Sequence, residues 1–178
     1  MAVAISSPLE LGRLGKQTHK GVLVVHIVSA GTWFGLDVAM AAIVFTALST
    51  DDAAIKALCY QALELFVYWP LFVSSVICLA SGVLLGLGTS FGLIRYWWVA
   101  IKLVLNSLLT TLVVFALRPG VVELAEQGRQ TAVGQAVTFA ESSMMFPPIV
   151  SSTLLLAAFV LSVFKPWGRI RSGGSAST

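Results

Sequence analysis

The sequence predicts an all-α integral membrane protein, a polytopic four-helix bundle of up-down-up-down topology with both termini cytoplasmic. Three observations predict it. Apolar residues make up 57% of the 178-residue chain and charged residues 11%, less than half of the roughly 25% charge of an ordinary soluble domain. The apolar residues are gathered into four runs, each long enough to cross a hydrocarbon core of about 30 Å as a helix. Lys and Arg cluster unevenly at the ends of those runs, which sets an orientation.

Surplus apolar surface that no polar shell can cover must face lipid. In lipid an unpaired backbone group costs several kcal/mol, so each run must close its hydrogen bonds internally as a helix. A barrel would need alternating strands of about ten residues, and the sequence shows no such alternation. The four spans are read as 21–48, 65–88, 96–117 and 139–164, within a membrane domain of 21–165.

Residues 1–20 lack an apolar core and carry Arg13, Lys16 and Lys20 directly before the first span, unlike a cleavable signal. Ser7-Pro8 with Glu10 reads as a helix start, which predicts a short cytoplasmic surface helix. The first connection is acidic, with Asp51 and Asp52, and the second is a tight turn over 88–95. In the third, the longest, Pro119 opens a short amphipathic helix over 121–127 that Gly128 closes. Pro147 and Pro148 are expected to kink the fourth span. The tail, 166–178, ends in Ser-Gly-Gly-Ser-Ala-Ser-Thr, a linker composition.

Arg13, Lys16, Lys20, Arg95, Lys165, Arg169 and Arg171 fall on one side of the bilayer. Lys56, Arg118 and Arg129 fall on the other, beside Asp51, Asp52, Glu123 and Glu126. The first side is therefore cytoplasmic, and the expected location is the inner (plasma) membrane. The net charge of +3 sits at helix ends and not on one face, so nucleic acid is not an expected partner. Cys59 and Cys78 differ in depth and are not expected to pair. No CxxC or CxxCH motif occurs, so covalent attachment of haem by that route is excluded.

At 100° per residue each span carries one polar or small stripe. These are His19, His26, Ala30, Trp33 and Asp37; then Glu64, Tyr68, Ser75, Cys78, Gly82 and Gly86; then Arg95, Trp98, Lys102 and Asn106; then Glu141, Met145, Pro148 and Ser152. Gly31 and Gly35 lie opposite His26 and suit close packing with a neighbouring helix or a second protomer. Gly82-x-x-x-Gly86 faces inward, either for helix packing or as room for a flat ligand.

Ionisable groups inside a span are costly and mark candidate sites. His26 and Lys102 each lie about 9 Å in from the cytoplasmic end of their spans. The first and third spans sit diagonally in a four-helix bundle, so both residues can face one central cavity. A neutral imidazole is an axial ligand for haem iron. His26 is thus the candidate metal ligand for haem b held between the first and third spans. Lys102 is a candidate sixth ligand, propionate partner or catalytic group, and Trp33, Trp98 and Arg95 are candidate cofactor contacts. The plainer alternative is a His26 that donates to a backbone carbonyl and a Lys102 that snorkels to the headgroups.

Asp37, the second candidate catalytic residue, forms a further polar group with Glu64 and Glu141. These acids can hold a proton, a metal cation or a basic partner, or Arg118 and water can neutralise them. Met144, Met145 and Cys78 are soft enough for Cu(I) but lack tight spacing, and core packing explains them better. No GxSxG, HExxH or Gly-rich phosphate loop is present.

His26-Ile-Val-Ser-Ala-Gly-Thr-Trp33-Phe-Gly35 resembles the first helix of the CopD and HemJ group of bacterial membrane proteins, and Phe91-Gly92-Leu-Ile-Arg95-Tyr-Trp-Trp98-Val-Ala-Ile-Lys102-Leu resembles a later helix of the same group. The overall pattern, with Phe164-Lys165-Pro166-Trp167-Gly168, is most similar to an uncharacterised family of four-helix membrane proteins common in actinobacteria. The resemblance covers Lys20 to about Arg171. It implies a haem b site at His26 and Lys102 and, by the HemJ side, a haem-dependent oxidoreductase; the CopD side implies copper handling. The chain departs from HemJ in having no Pro-Arg-Leu run after its Trp, where Asp37 stands, and no histidines flanking the lysine. Those departures count against protoporphyrinogen oxidation while leaving the haem expectation in place.

Three functions are therefore expected in turn. The first is a haem b redox protein exchanging electrons with a quinone or a porphyrin-like reductant. The second is a copper, cation or proton transport protein working through intramembrane carboxylates. The third is an accessory membrane subunit or homo-oligomer packed through Gly31 and Gly35.

Overall fold

The computed structural model describes residues 15–88, 97–135, 137, 139 and 144–164. Among them the chain forms four helices: α1 (Lys16–Ser49), α2 (Ala53–Gly88), α3 (Trp97–Ala132) and α4 (Phe146–Phe164). All four are long and apolar enough to cross a membrane, as expected for a multi-pass membrane protein. Their outer faces carry large apolar side chains such as Phe45, Phe66, Phe115 and Val163. In water each would forfeit about 25 cal/mol for every Å² left unburied, whereas acyl chains cover them at no such cost. The expected amino-terminal surface helix, the turn as far as Arg95, Glu141 and the tail lie outside the described residues.

α1 contains no proline and runs unbroken for 34 residues. It takes in Lys16–Lys20, which the sequence assigned to a separate segment. Residues 50–52 then lead into α2, whose first amides are capped by Asp52: its Oδ1 accepts from the Ala54 and Ile55 amides at 2.8 and 3.4 Å. Such a cap stabilises a helix start by about 1 kcal/mol.

α2 and α3 each run for 36 residues, about 54 Å at 1.5 Å per residue. That is nearly twice the hydrocarbon thickness, so one end of each extends past the span. The extensions are the amino-terminal part of α2 and the carboxyl-terminal part of α3, and they pack together. The amphipathic helix expected over 121–127 is thus no separate element but the end of α3. Gly128 does not close it. A Cβ on Gly128 would stand 2.8 Å from the Ala57 carbonyl oxygen, so this glycine lets two backbones meet. The helix ends four residues later in a Schellman turn: Gly134 has φ 84°, its amide donates to Thr131 O, and the Gln135 amide donates to Gln130 O. Arg129 ties the extensions, reaching Glu64 of α2 at 2.7 Å and Glu126 at 2.8 Å. The guanidinium beside Glu126 holds that carboxyl below the usual carboxylate range.

Both long helices widen into a π turn, over Leu63–Tyr68 and Val113–Leu117. Each widening ends two residues before a proline, Pro70 or Pro119. Proline has no amide to donate and its ring crowds the carbonyl four residues back, here Phe66 or Phe115. Shifting the register by one residue relieves that crowding, and the Arg118 amide duly reaches Val113 O. The fourth span behaves differently. Read as 139–164, it becomes helical only at Phe146, with Phe139 outside it. Pro147 and Pro148 therefore do not kink it. They occupy the first turn, where the missing amides would have had no helical partner.

Around the bundle, α1 packs on α2, α2 on α3, α3 on α4 and α4 on α1, which leaves α1 and α3 across from one another. The core is densest along α1 and α2, with Trp33, Met40, Val44, Tyr60, Leu63 and Leu71. Gly31 and Gly35 face open space: a Cβ on either meets nothing within 4 Å.

Replacing Gly128 by Val drives a branched side chain into the Ala57 backbone and should cost about 1–3 kcal/mol, the usual range for overpacking. Thermal unfolding in detergent should show a lowered midpoint for Gly128→Val and none for Gly31→Ala. Equal midpoints for the two variants would remove the close helix crossing from the account.

Candidate functional site

His26 projects from α1 against α2. Its Nδ1 lies 3.0 Å from the Cys78 carbonyl oxygen and 3.1 Å from Ser81 Oγ. A carbonyl only accepts, so Nδ1 carries the proton and donates, and Nε2 keeps its lone pair. The ring fits there because residue 82 is glycine: a Cβ on Gly82 would stand 3.1 Å from His26 Cε1. The notch at Gly82 is thus occupied by the imidazole. Cys78 Sγ lies 3.8 Å from Nδ1 and accepts from Asn106 Nδ2 of α3 at 3.4 Å.

Lys102, across the bundle on α3, turns toward α4. Its Nζ donates to Ser162 Oγ at 2.6 Å and lies 5.8 Å from the Trp98 ring centroid. Its charge acts on His26 electrostatically, but no hydrogen bond joins them. The histidine leans on α2 and the lysine on α4. Trp98 accompanies the lysine, as their shared stripe suggests. Trp33 is fully enclosed in the core and presents no free face to a ligand.

Further along α1 lies Asp37, with 0% of its surface exposed. Oδ2 accepts from Ser151 Oγ of α4 at 2.6 Å, while Oδ1 has no hydrogen-bond partner among the described residues. Asp37 is one of the residues lining a cavity of about 460 Å³ whose other walls are mainly apolar. The π turn of α3 supplies Val113, Ala116 and Leu117, and the proline-led first turns of α4 supply Phe146, Pro147, Val150 and Ser151. Gly120 seats Met144, whose thioether a Cβ at 120 would strike. Leu112, Phe146 and Val150 at the rim are exposed, so the mouth opens between α3 and α4 on the outer face of the bundle. Neither His26 nor Lys102 lines this cavity.

The three acids grouped by the sequence do not converge. Glu64 pairs with Arg129 on the extensions, Glu141 lies outside the described residues, and the group in contact with Asp37 is Ser151 and not Arg118. Ser151 and Met144 were not on the expected stripe, which named Ser152 and Met145; Met145 is exposed and Met144 buried. A helix assumed to begin at 139 carries its register into residues 144–152 and assigns them the wrong inward face. Pro147-x-x-x-Ser151, one turn apart, was the available signal. Cys78 lies beside His26 and Asn106, whereas Met144 lines the Asp37 cavity. No group of three or more His, Cys, Asp or Glu converges among the described residues. No family model, curated protein or solved structure matches the chain, so the resemblance at His26 and Lys102 rests on those short motifs alone.

Nitrogen NMR on ¹⁵N-histidine-labelled protein in micelles, under mildly alkaline conditions, should find His26 as the Nδ1–H tautomer. The opposite tautomer would disprove the bond to the Cys78 carbonyl.

Proposed function

We propose that this is a multi-pass membrane protein, up-down-up-down with both termini cytoplasmic, that takes a small lipid-soluble ligand into its bundle at Asp37, in the manner of a transport or ligand-carrying protein. The supporting observation is a fully enclosed acid, with one carboxyl oxygen unpartnered among the described residues, whose residue lines a cavity of about 460 Å³. That volume falls within the roughly 300–1,000 Å³ of small-molecule sites, which are mainly apolar with a few polar groups to fix orientation. An ionisable group held at membrane depth without full satisfaction costs several kcal/mol, a cost that a bound partner can offset. The sideways mouth suits a ligand arriving from the lipid. Photoreactive long-chain probes, an amine and the alcohol of equal length, test the reading. At least one should label the α3 and α4 walls, and Ala116→Trp, which fills the cavity, should reduce that labelling at least tenfold. Failure of both probes, or indifference to the tryptophan, would refute a ligand site here.

A second reading is favoured by a different observation, the Nδ1–H bond from His26 to the Cys78 carbonyl. Metal-bound histidines commonly donate their other N–H to such a carbonyl, which orients the ring and strengthens the ligand nitrogen. His26 fits haem b as a single axial ligand. Lys102, held by Ser162, fits a propionate better than iron, and the enclosed Trp33 fits neither. Haem there would supply one-electron transfer, with a quinone or porphyrin-like molecule as partner. Protein purified from haem-replete cells should show a Soret band that His26→Ala abolishes, and colourless protein would end this reading.

A further inference from the structure

We propose that the ligand of the Asp37 cavity is a lipophilic monocation, an apolar body bearing one ammonium group, and that it enters in exchange for the carboxyl proton. This rests on the Asp37 reading above and adds to it the class of ligand and the coupling to protons.

An ionised carboxylate offers about four acceptor positions, and Asp37 receives one donor, the neutral hydroxyl of Ser151. One neutral hydrogen bond cannot carry a full charge at membrane depth. The carboxyl must therefore hold a proton or meet a positive charge. The helices packed around it supply none among the described residues. α2 turns Leu71 to the cavity, α3 turns Leu109 and Val113, α4 turns Ser151, and α1 itself adds Met40. Elsewhere on these helices Lys102 bonds Ser162 and Glu64 pairs with Arg129, while Arg118, which stands between the lining residues Leu117 and Gly120, is exposed and makes no hydrogen bond or ion pair with Asp37 among the described residues. The missing positive charge must then come with the ligand. The remaining wall suits its body, since the Met40 and Met144 thioethers and the Phe146 ring are polarisable surfaces for a soft cation.

In the exchange, the O–H bond of the Asp37 carboxyl breaks with its electron pair left on oxygen. The proton leaves to water, and the ammonium N–H groups take its place at the carboxylate. Nothing is oxidised or reduced. One positive charge enters as another leaves, so the cavity's net charge is the same before and after. A neutral alcohol can donate one hydrogen bond to Oδ1, but it displaces no proton and offsets no charge.

The experiment uses the same photoreactive pair on detergent-purified full-length protein, with titration of the amine in two buffers of different ionisation heat. An alkylammonium stays charged below about pH 10, so the probe itself does not titrate across neutrality. The amine should label the cavity walls at least tenfold more strongly than the alcohol. Its binding should weaken by up to about tenfold per pH unit of acidification, with one proton released per amine bound. Asp37→Asn should abolish the release and the preference for amine. Equal labelling by the alcohol, or amine binding without proton release, would overturn the exchange while leaving the cavity as a ligand site. Failure of both probes would remove the cavity reading and this one together. The pH slope and the proton count are read on the unaltered chain, so they decide the matter even where Asp37→Asn does not fold.

Discussion

Hydrocarbon offers no hydrogen bonds, and almost every feature of this fold answers to that. Backbone amides are absorbed by four long helices. Several hydroxyls within the spans turn back on their own helix: Ser74 donates to Leu71 O, Ser75 to Phe72 O and Ser162 to Ala158 O. The remaining polar side chains within the spans are used sparingly, and each pair of neighbouring helices has such a link. His26 joins α1 to α2, Asn106 joins α3 to α2, Lys102 joins α3 to α4, and Asp37 joins α1 to α4. Apolar contact alone does not distinguish one neighbour from another in lipid, because acyl tails are as apolar as leucine. Four directional links therefore fix the order of the helices around the bundle.

The same constraint explains where the cavity lies. Proline inside a helix leaves a carbonyl without its usual donor, and α2 and α3 each respond with a widened turn just before the proline. In α3 that turn is part of the cavity wall. In α4 the prolines come first, and Ser151 stands one turn after Pro147, facing Asp37. The opening between α3 and α4 thus sits where backbone irregularities from two helices coincide. Only Leu109 is buried between Trp97 and Leu112, against a nearly continuous buried ridge on α1, so the bundle is loosest on the same side.

Much of the fold was legible because length and apolarity are additive properties that survive any detail of packing. Four runs gave four helices, and the inward stripe of α1 was read correctly from Ala30 through Trp33 to Asp37. What the sequence concealed was where helices join or begin. Pro119 and Gly128 look like punctuation, yet the prolines of α2 and α3 are absorbed by π turns and Gly128 serves a helix crossing whose partner, Ala57, is some 70 residues away in the chain. The site was legible residue by residue but not as an arrangement. His26, Lys102 and Asp37 are unusual wherever they point. Whether they meet depends on side-chain direction, and no periodicity specifies that the histidine turns to Cys78 while the lysine turns to Ser162.

His26 and Asp37 stand on the same helix, about 16 Å apart at 1.5 Å per residue, and the difference in their satisfaction ranks them. The histidine has a donor-acceptor pairing, a glycine notch shaped to its ring and a thiol beside it, all of which make structural sense with nothing added. Its free Nε2 is compatible with a ligand but does not call for one. Asp37 is the reverse case. Its neighbours leave an oxygen unpartnered, and a glycine, a π turn and two prolines help to shape the cavity that Asp37 lines. A packed interior tends to close around a buried polar atom or to replace it, since leaving it half-satisfied costs more than either. A fold that places such a carboxyl in the lining of a cavity favours the proposal that something enters the cavity, and a visitor bearing positive charge would offset the carboxylate once its proton has left.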